Sequence, residues 1–191
     1  MKHRILTIIL LLTPLLCVAG VPHEANRNQV RIGWGDMLFE TLSFHPTSNL
    51  QGVVTSDYGY TGHIFGEYQR RLGKTLSVGA QLGFEGIFWK EKGAQVNNFN
   101  LALMPTVRFI YYEKGLFTLY SSLGAGLLTA FDNGGTVEFA PAFNLNFFSV
   151  QVGKGAWSGT LELGMLNALQ NPNKVYMVAS RMLSVSLNYA F

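Results

Sequence analysis

Residues Leu76 to Trp89 read LSVGAQLGFEGIFW, and in them Leu76, Val78, Ala80, Leu82, Phe84 and Phe88 alternate with Ser77, Gly79, Gln81, Gly83, Glu85 and Trp89. Successive side chains point to opposite faces only in an extended chain, so this stretch is a long strand with one apolar face and one face of small or polar residues. Gly86 and Ile87 are its weak points.

The same period of two recurs on both sides. Phe99, Leu101, Leu103, Val107, Phe109 and Tyr111 alternate with Asn98, Asn100, Thr106 and Arg108. Phe117, Leu119, Leu123, Ala125 and Leu127 are set against Thr118, Tyr120, Ser122, Gly124 and Gly126, and Val137, Phe139, Phe143, Leu145 and Phe147 against Thr136, Glu138, Asn144 and Asn146. Shorter or noisier runs lie at Val30 to Trp34, Tyr58 to Gln69 and Trp157 to Met165, and the last begins at Val175 and ends at Phe191. That makes eight strands, each long enough for a tilted bilayer crossing of about 9 to 11 residues. Parity breaks near Phe148 in NFFSVQV, from a bulge or from a turn that would raise the count to ten.

Connections alternate in length. Short ones fall at Arg70 to Lys74, Glu113 to Gly115 and Gly153 to Ala156, each with glycine and charge, as tight hairpins require. Those at Phe39 to Asp57, Lys90 to Asn97, Asp132 to Gly135 and Asn167 to Lys174 are mostly longer and rich in Asn, Gly, Ser and Pro. Short turns at one end and longer loops at the other are the habit of outer-membrane barrels. The stretch Asp36 to His45 either extends the first strand or forms a short helix.

Composition points the same way. Of 191 residues, 48% are hydrophobic and 13% charged, about half the charge usual in a soluble domain, which argues against disorder and coiled coil. Residues 1–20, MKHRILTIILLLTPLLCVAG, have the layout of a secretory signal peptide: Lys2 and Arg4, an apolar core too short to span a bilayer with ease, then small residues. Residues 21–191 then form one barrel domain. Cys17, the single cysteine, lies in the leader, so no disulfide is expected beyond it. Taking Lys2 and Arg4 from 14 Lys+Arg against 11 Asp+Glu lowers the formal charge from +3 to +1, which gives no basis for a nucleic-acid partner.

A soluble sandwich also alternates, but its exposed face carries Lys, Glu and Thr. Here the non-apolar face is mostly Gly, Ser, Thr, Asn and Ala, which suits a lumen eight strands wide. The apolar faces carry rings near both ends: Tyr111, Phe117, Trp157 and Tyr189 at the short turns, and Tyr58, Tyr60, Phe88, Phe99, Phe131 and Phe139 at the loops. These match interfacial aromatic girdles, and closure satisfies every backbone group in hydrocarbon. The expected fold is an all-β, closed, antiparallel up-and-down transmembrane β-barrel of eight strands in a Gram-negative outer membrane.

The C-terminal SVSLNYAF places Leu183, Val185, Leu187, Tyr189 and Phe191 on one face. This closing strand resembles the assembly signal read by the outer-membrane barrel insertion machinery. The segments RIGWGDMLFE and YTGHIFGEYQRRL are similar to an uncharacterised group of small outer-membrane β-barrel proteins of Bacteroides-like bacteria, barrels of the OmpA/OmpX kind. The resemblance implies a membrane barrel and brings no activity or catalytic residues.

Arg31, His63, Glu67, Gln81, Glu85, Arg108, Glu138 and Glu162 share the inward parity and are expected to form a polar network that fills the lumen. Arg31, Glu67 and Arg108 count toward the short turns, Glu85, Glu138 and Glu162 toward the middle or loop end, and Arg108 is placed to pair with Glu67. A buried charge must be paired, because removing one partner costs on the order of 3 to 5 kcal/mol. His63 beside a carboxylate has the makings of an oriented base, but no nucleophilic serine accompanies it. A rim enzyme acting on lipid A or peptide would draw on His45 with Ser43, Ser48 or Asp57, a set that fits no motif; His23 lies beside the cleavage site. No metal spacing and no phosphate-binding glycine loop occurs, so no cofactor is expected. The leading expectation is a non-enzymatic barrel contacting outer-membrane lipid, its loops available for interaction. A subunit of a larger envelope complex, with an unidentified protein partner, is the other alternative.

Overall fold

The computed structural model describes residues 28–36, 59–91, 94–133, 135, 137–168 and 182–191. They form β1 (Asn28–Asp36), β2 (Gly59–Arg71), β3 (Leu76–Glu91), β4 (Ala94–Lys114), β5 (Phe117–Asp132), β6 (Val137–Gly153), β7 (Trp157–Ala168) and β8 (Leu183–Ala190). All neighbours pair antiparallel in sequence order, and β1 pairs with β8, closing a barrel. At the seam the Asn28 N–H donates to the Phe191 carbonyl at 3.1 Å, and the Phe191 N–H returns a bond to the Asn28 carbonyl at 2.9 Å.

The pairing does not close level. From Gln29 the ladder passes through Gln69, Gly79, Thr106, Gly124 and Asn144 to Leu166 on β7. In the other direction it passes through Ala190, whose N–H donates to the carbonyl of Ala156 beside β7, ten residues from Leu166. With strands about 4.8 Å apart and about 3.3 Å per residue, that stagger tilts the strands by about 40°.

Burial follows the alternation. Ile32 (72% exposed), Leu82, Leu103, Phe109, Leu123, Phe147 and Leu163 face out, while Arg31, Gln81, Glu85, Arg108, Asn146 and Glu162 of the same strands are buried inside. Of the rings expected at the short-turn end, Trp157 and Tyr189 sit together on the outer face with centroids 4.8 Å apart, and Phe191 lies 6.1 Å from Tyr189. At the loop end Phe99 packs against Phe84 at 6.0 Å and Phe88 at 5.7 Å.

The parity break near Phe148 is a bulge, and the ten-strand alternative falls with it. The register shifts between Asn146 and Phe148 against β7, and between Tyr120 and Ser122 against β5. Phe147 and Phe148 consequently both face outward, and Ser149 returns to the interior. A second correction concerns Lys90 to Asn97. Instead of a loop, β3 runs to Glu91 and β4 starts at Ala94, with Lys90 paired to Gln95 and Phe88 to Asn97. An apolar band about 25 Å tall uses only about 10 residues of a strand at this tilt, so the polar ends of these two strands keep pairing as a hairpin beyond it. Three short turns fall where expected, between β2 and β3, β4 and β5, and β6 and β7.

Two glycines mark places where the backbone could not carry a side chain. Gly62 adopts φ 77° at the β2 bulge under the Trp34 indole, which donates to the Thr61 carbonyl at 3.0 Å. A Cβ on Gly33 would come within 2.3 Å of Phe65 Cζ. That gap lets the Phe65 ring lie inside the barrel, a large apolar group on an inner face read as mostly small and polar.

The interior is two-sided toward the loop end. On β4 to β7, Ala102, Met104, Leu128, Ala130, Ala140, Ala142, Leu166 and Ala168 form a buried apolar cluster. On β2 to β4, His63, Gln81, Glu85, Asn98 and Asn100 are buried polar residues.

Candidate functional site

The charged part of the lumen is built from six strands. Arg31 on β1 reaches Glu162 on β7, Nη1 to Oε1, at 2.5 Å and donates from the same nitrogen to the Tyr120 hydroxyl on β5 at 3.1 Å. Its Nε pairs with Glu67 on β2. Tyr120 donates to Glu162 at 3.0 Å, and the Ser184 hydroxyl donates to the other Glu162 oxygen at 3.1 Å. Arg108 on β4 lies 3.6 Å from Glu67, is 4.2 Å over the Tyr120 ring and donates to Gln29 at 2.7 Å. Glu67 further accepts from the Thr106 hydroxyl at 2.9 Å and the Gln69 amide at 2.5 Å. Two guanidinium groups thus face two carboxylates, and each charge is also held by neutral donors, acceptors or a ring. This balance is what burial in low dielectric demands.

A second polar tier lies nearer the loops. His63 Nδ1 is 3.0 Å from Glu85, and Asn144 donates to Gln81 at 3.1 Å. The His63 ring stacks on Phe65 at 5.6 Å, and Phe65 lies 5.0 Å beneath the Arg31 guanidinium, so one aromatic links the two tiers. Toward the short turns Asn188 donates to Thr160 at 2.8 Å and Gln151 to Ser158 at 2.8 Å. A cleft of about 40 Å³ at that mouth, between Gln29, Arg71, Ser77 and Gln151, admits water-sized molecules. Arg71 borders it in a two-pronged pair with Glu113, at 2.9 and 2.5 Å, and this partner raises the Arg71 pKa further.

Of the residues singled out by parity, Arg31, His63, Glu67, Gln81, Glu85, Arg108 and Glu162 are buried inside the barrel. Glu138 has the inner parity but sits half-buried at the loop-end mouth. Glu162, expected nearer the middle or the loops than Arg31, nonetheless meets it: counting residues from turns ignores the strand tilt and stagger, which bring the two side chains together. Tyr120, Gln69, Thr106 and Gln29 were missing from the sequence-based network. Their parity would have found them, as charge alone did not. His23, Ser43, His45, Ser48 and Asp57 lie outside the described residues, as does the stretch from Val175 to Arg181. Among the described residues no group of three or more His, Cys, Asp or Glu is placed to hold a metal.

Apolar outside, charged within and closed on itself, the chain has the eight-stranded antiparallel architecture of the outer-membrane barrels. Among solved structures it is similar to the N-terminal β-barrel domain of Pseudomonas aeruginosa OprF, with 10% identity over 87% of this chain and 99% of that one, at a TM-score of 0.50. It is also similar to the outer membrane protein OprG of the same organism, with 8% identity, covering 87% of this chain and 96% of that one, at a TM-score of 0.42. At such identities the OprF likeness speaks to fold. No family model matches the chain, and no curated protein does.

Proposed function

We propose that this protein is a non-enzymatic integral protein of the Gram-negative outer membrane, delivered by the leader at residues 1–20, with a lumen sealed by its own side chains and loops turned to the outside. The observation that carries this is the inverted polarity: Ile32, Leu103, Phe109 and Phe139 are exposed while Arg31, Glu67, Arg108 and Glu162 are buried. Water as the outer solvent would leave that apolar belt exposed, far beyond the few hundred Å² tolerated on a soluble monomer. Lipid as the outer solvent removes the penalty. The paired charges and the filled interior support a structural lumen, since an eight-stranded barrel is just wide enough for its side chains.

The closing face of Leu183, Val185, Leu187, Tyr189 and Phe191 is the segment offered to the insertion machinery. Kinship with the small barrels of Bacteroides-like bacteria rests on RIGWGDMLFE and YTGHIFGEYQRRL. The deciding experiment is gel migration of isolated outer membranes: a folded barrel runs differently from its boiled form. A mature chain that stays a compact monomer in detergent-free buffer overturns the proposal.

A further inference from the structure

We infer that the short-turn rim is a binding collar for anionic phospholipid headgroups, a reading that rests on the lipid-facing belt proposed above. Each of the three short turns brings at least one exposed cation to this rim: Arg70 and Lys74 flank the β2–β3 turn, Lys114 precedes the β4–β5 turn, and Lys154 lies in the β6–β7 turn. Glu113, the acid of these turns, is already engaged by Arg71. Among the described residues no acid is paired with these four cations.

Its height favours lipid over a soluble or polymeric acid. Arg70 follows Tyr68 on the outer face of β2, Lys114 is paired with Phe117, and Lys154 lies three residues before Trp157. Tyr68, Phe117 and Trp157 are exposed rings at the edge of the apolar band. An interfacial ring sits at headgroup level, so the neighbouring cations lie at the depth of the phosphates, with their aliphatic stems along the band. A negatively charged headgroup is attracted over about one Debye length, and the attraction fades as salt rises.

The test uses the full mature chain inserted in vesicles of mixed phosphatidylcholine and phosphatidylglycerol. Trp34→Phe and Trp89→Phe leave Trp157 as the single indole at the rim. Its fluorescence is then quenched by brominated phosphatidylglycerol or brominated phosphatidylcholine at equal mole fraction. The expected result is a preference of about threefold for the anionic lipid at low salt, falling toward unity in 1 M salt. Replacing Arg70, Lys74, Lys114 and Lys154 with glutamine should abolish it. Lys154→Gln alone, closest to the reporter, should lower it measurably even if the quadruple variant folds poorly. Equal quenching by the two lipids, or a preference that survives neutralisation, overturns the collar. So does neutralisation-sensitive co-sedimentation with peptidoglycan in place of a lipid preference. Gel migration shifted by heat in the same samples checks the barrel independently, so a folded barrel with no headgroup preference sinks this inference alone.

Discussion

Arg31 is the residue on which the charged lumen converges, because it alone touches both Glu67 and Glu162 as well as Tyr120. Arg31→Met strips Glu162 of its cation and leaves Glu67 with the more distant Arg108. It should cost about 3 to 5 kcal/mol. The double variant Arg31→Met/Glu162→Met removes both charges and should cost less than the two singles together by at least about 1 kcal/mol. Urea unfolding of the micelle-embedded barrel measures both, and strict additivity would show that the two side chains do not interact. A steric prediction belongs to the same scale. Gly33→Ala places a methyl within 2.3 Å of Phe65 Cζ and 2.8 Å of Ser186 Cβ, and should destabilise by about 1 to 3 kcal/mol. Adding Phe65→Leu should recover much of that loss. The inward direction of Arg31, Glu67, Arg108 and Glu162 was legible from alternation alone. The inward ring of Phe65 was not, because its place depends on a glycine of the neighbouring strand, which periodicity within one strand does not record.

At the level of elements, the short turns and the alternating strands were readable because a period of two and a glycine-charge turn are local. The bulge at Phe148 was visible as a parity break, but whether it bends a strand or ends one depends on how β5 and β7 pair with it. The polar tip of β3–β4 misled for the opposite reason: Lys90, Gln95 and Asn97 look like loop residues, yet a ladder beyond the lipid band has no need of apolar side chains. Deleting Phe148 removes the extra residue of the bulge, so Phe147 should still face out and Ser149 and Gln151 should stay inside with their register kept. The heat-modifiable fraction should be nearly unchanged for this deletion and should fall sharply when Leu82, in the bulge-free part of β3, is deleted and Glu85 is thereby turned toward lipid. For β8, Phe191→Ser should reduce insertion in cells, where the machinery must find the closing strand, and leave insertion of the purified chain into vesicles nearly unchanged. Equal losses in both settings would make Phe191 a packing residue and remove its role as a signal.

For the whole molecule, closure turns eight local patterns into one lumen, and the ten-residue stagger decides which side chains meet inside it. No single strand encodes that stagger. It follows from where each turn and bulge leaves the register, which is why the Arg108–Glu67 proximity was legible while the Arg31–Glu162 pair was not. The same geometry separates what the membrane requires from what projects beyond it. At a tilt of about 40° some 10 residues cross the apolar band, whereas β4 has 21 and β3 has 16. The β3–β4 tip should therefore be dispensable for folding. Replacing Phe88–Asn97 by a two-residue Asn-Gly turn leaves Ile87 paired with Asn98, as it is in the intact sheet, and retains enough of both strands to cross. This shortened chain should insert into vesicles with unchanged efficiency, show the same heat-dependent gel shift and keep the Arg31 network, read out by an undiminished cost of Arg31→Met. A chain that fails to insert after this excision would place the lipid band higher on the barrel, around Phe88 and Phe99, and would require the filled lumen and the short-turn rim to be repositioned relative to the bilayer.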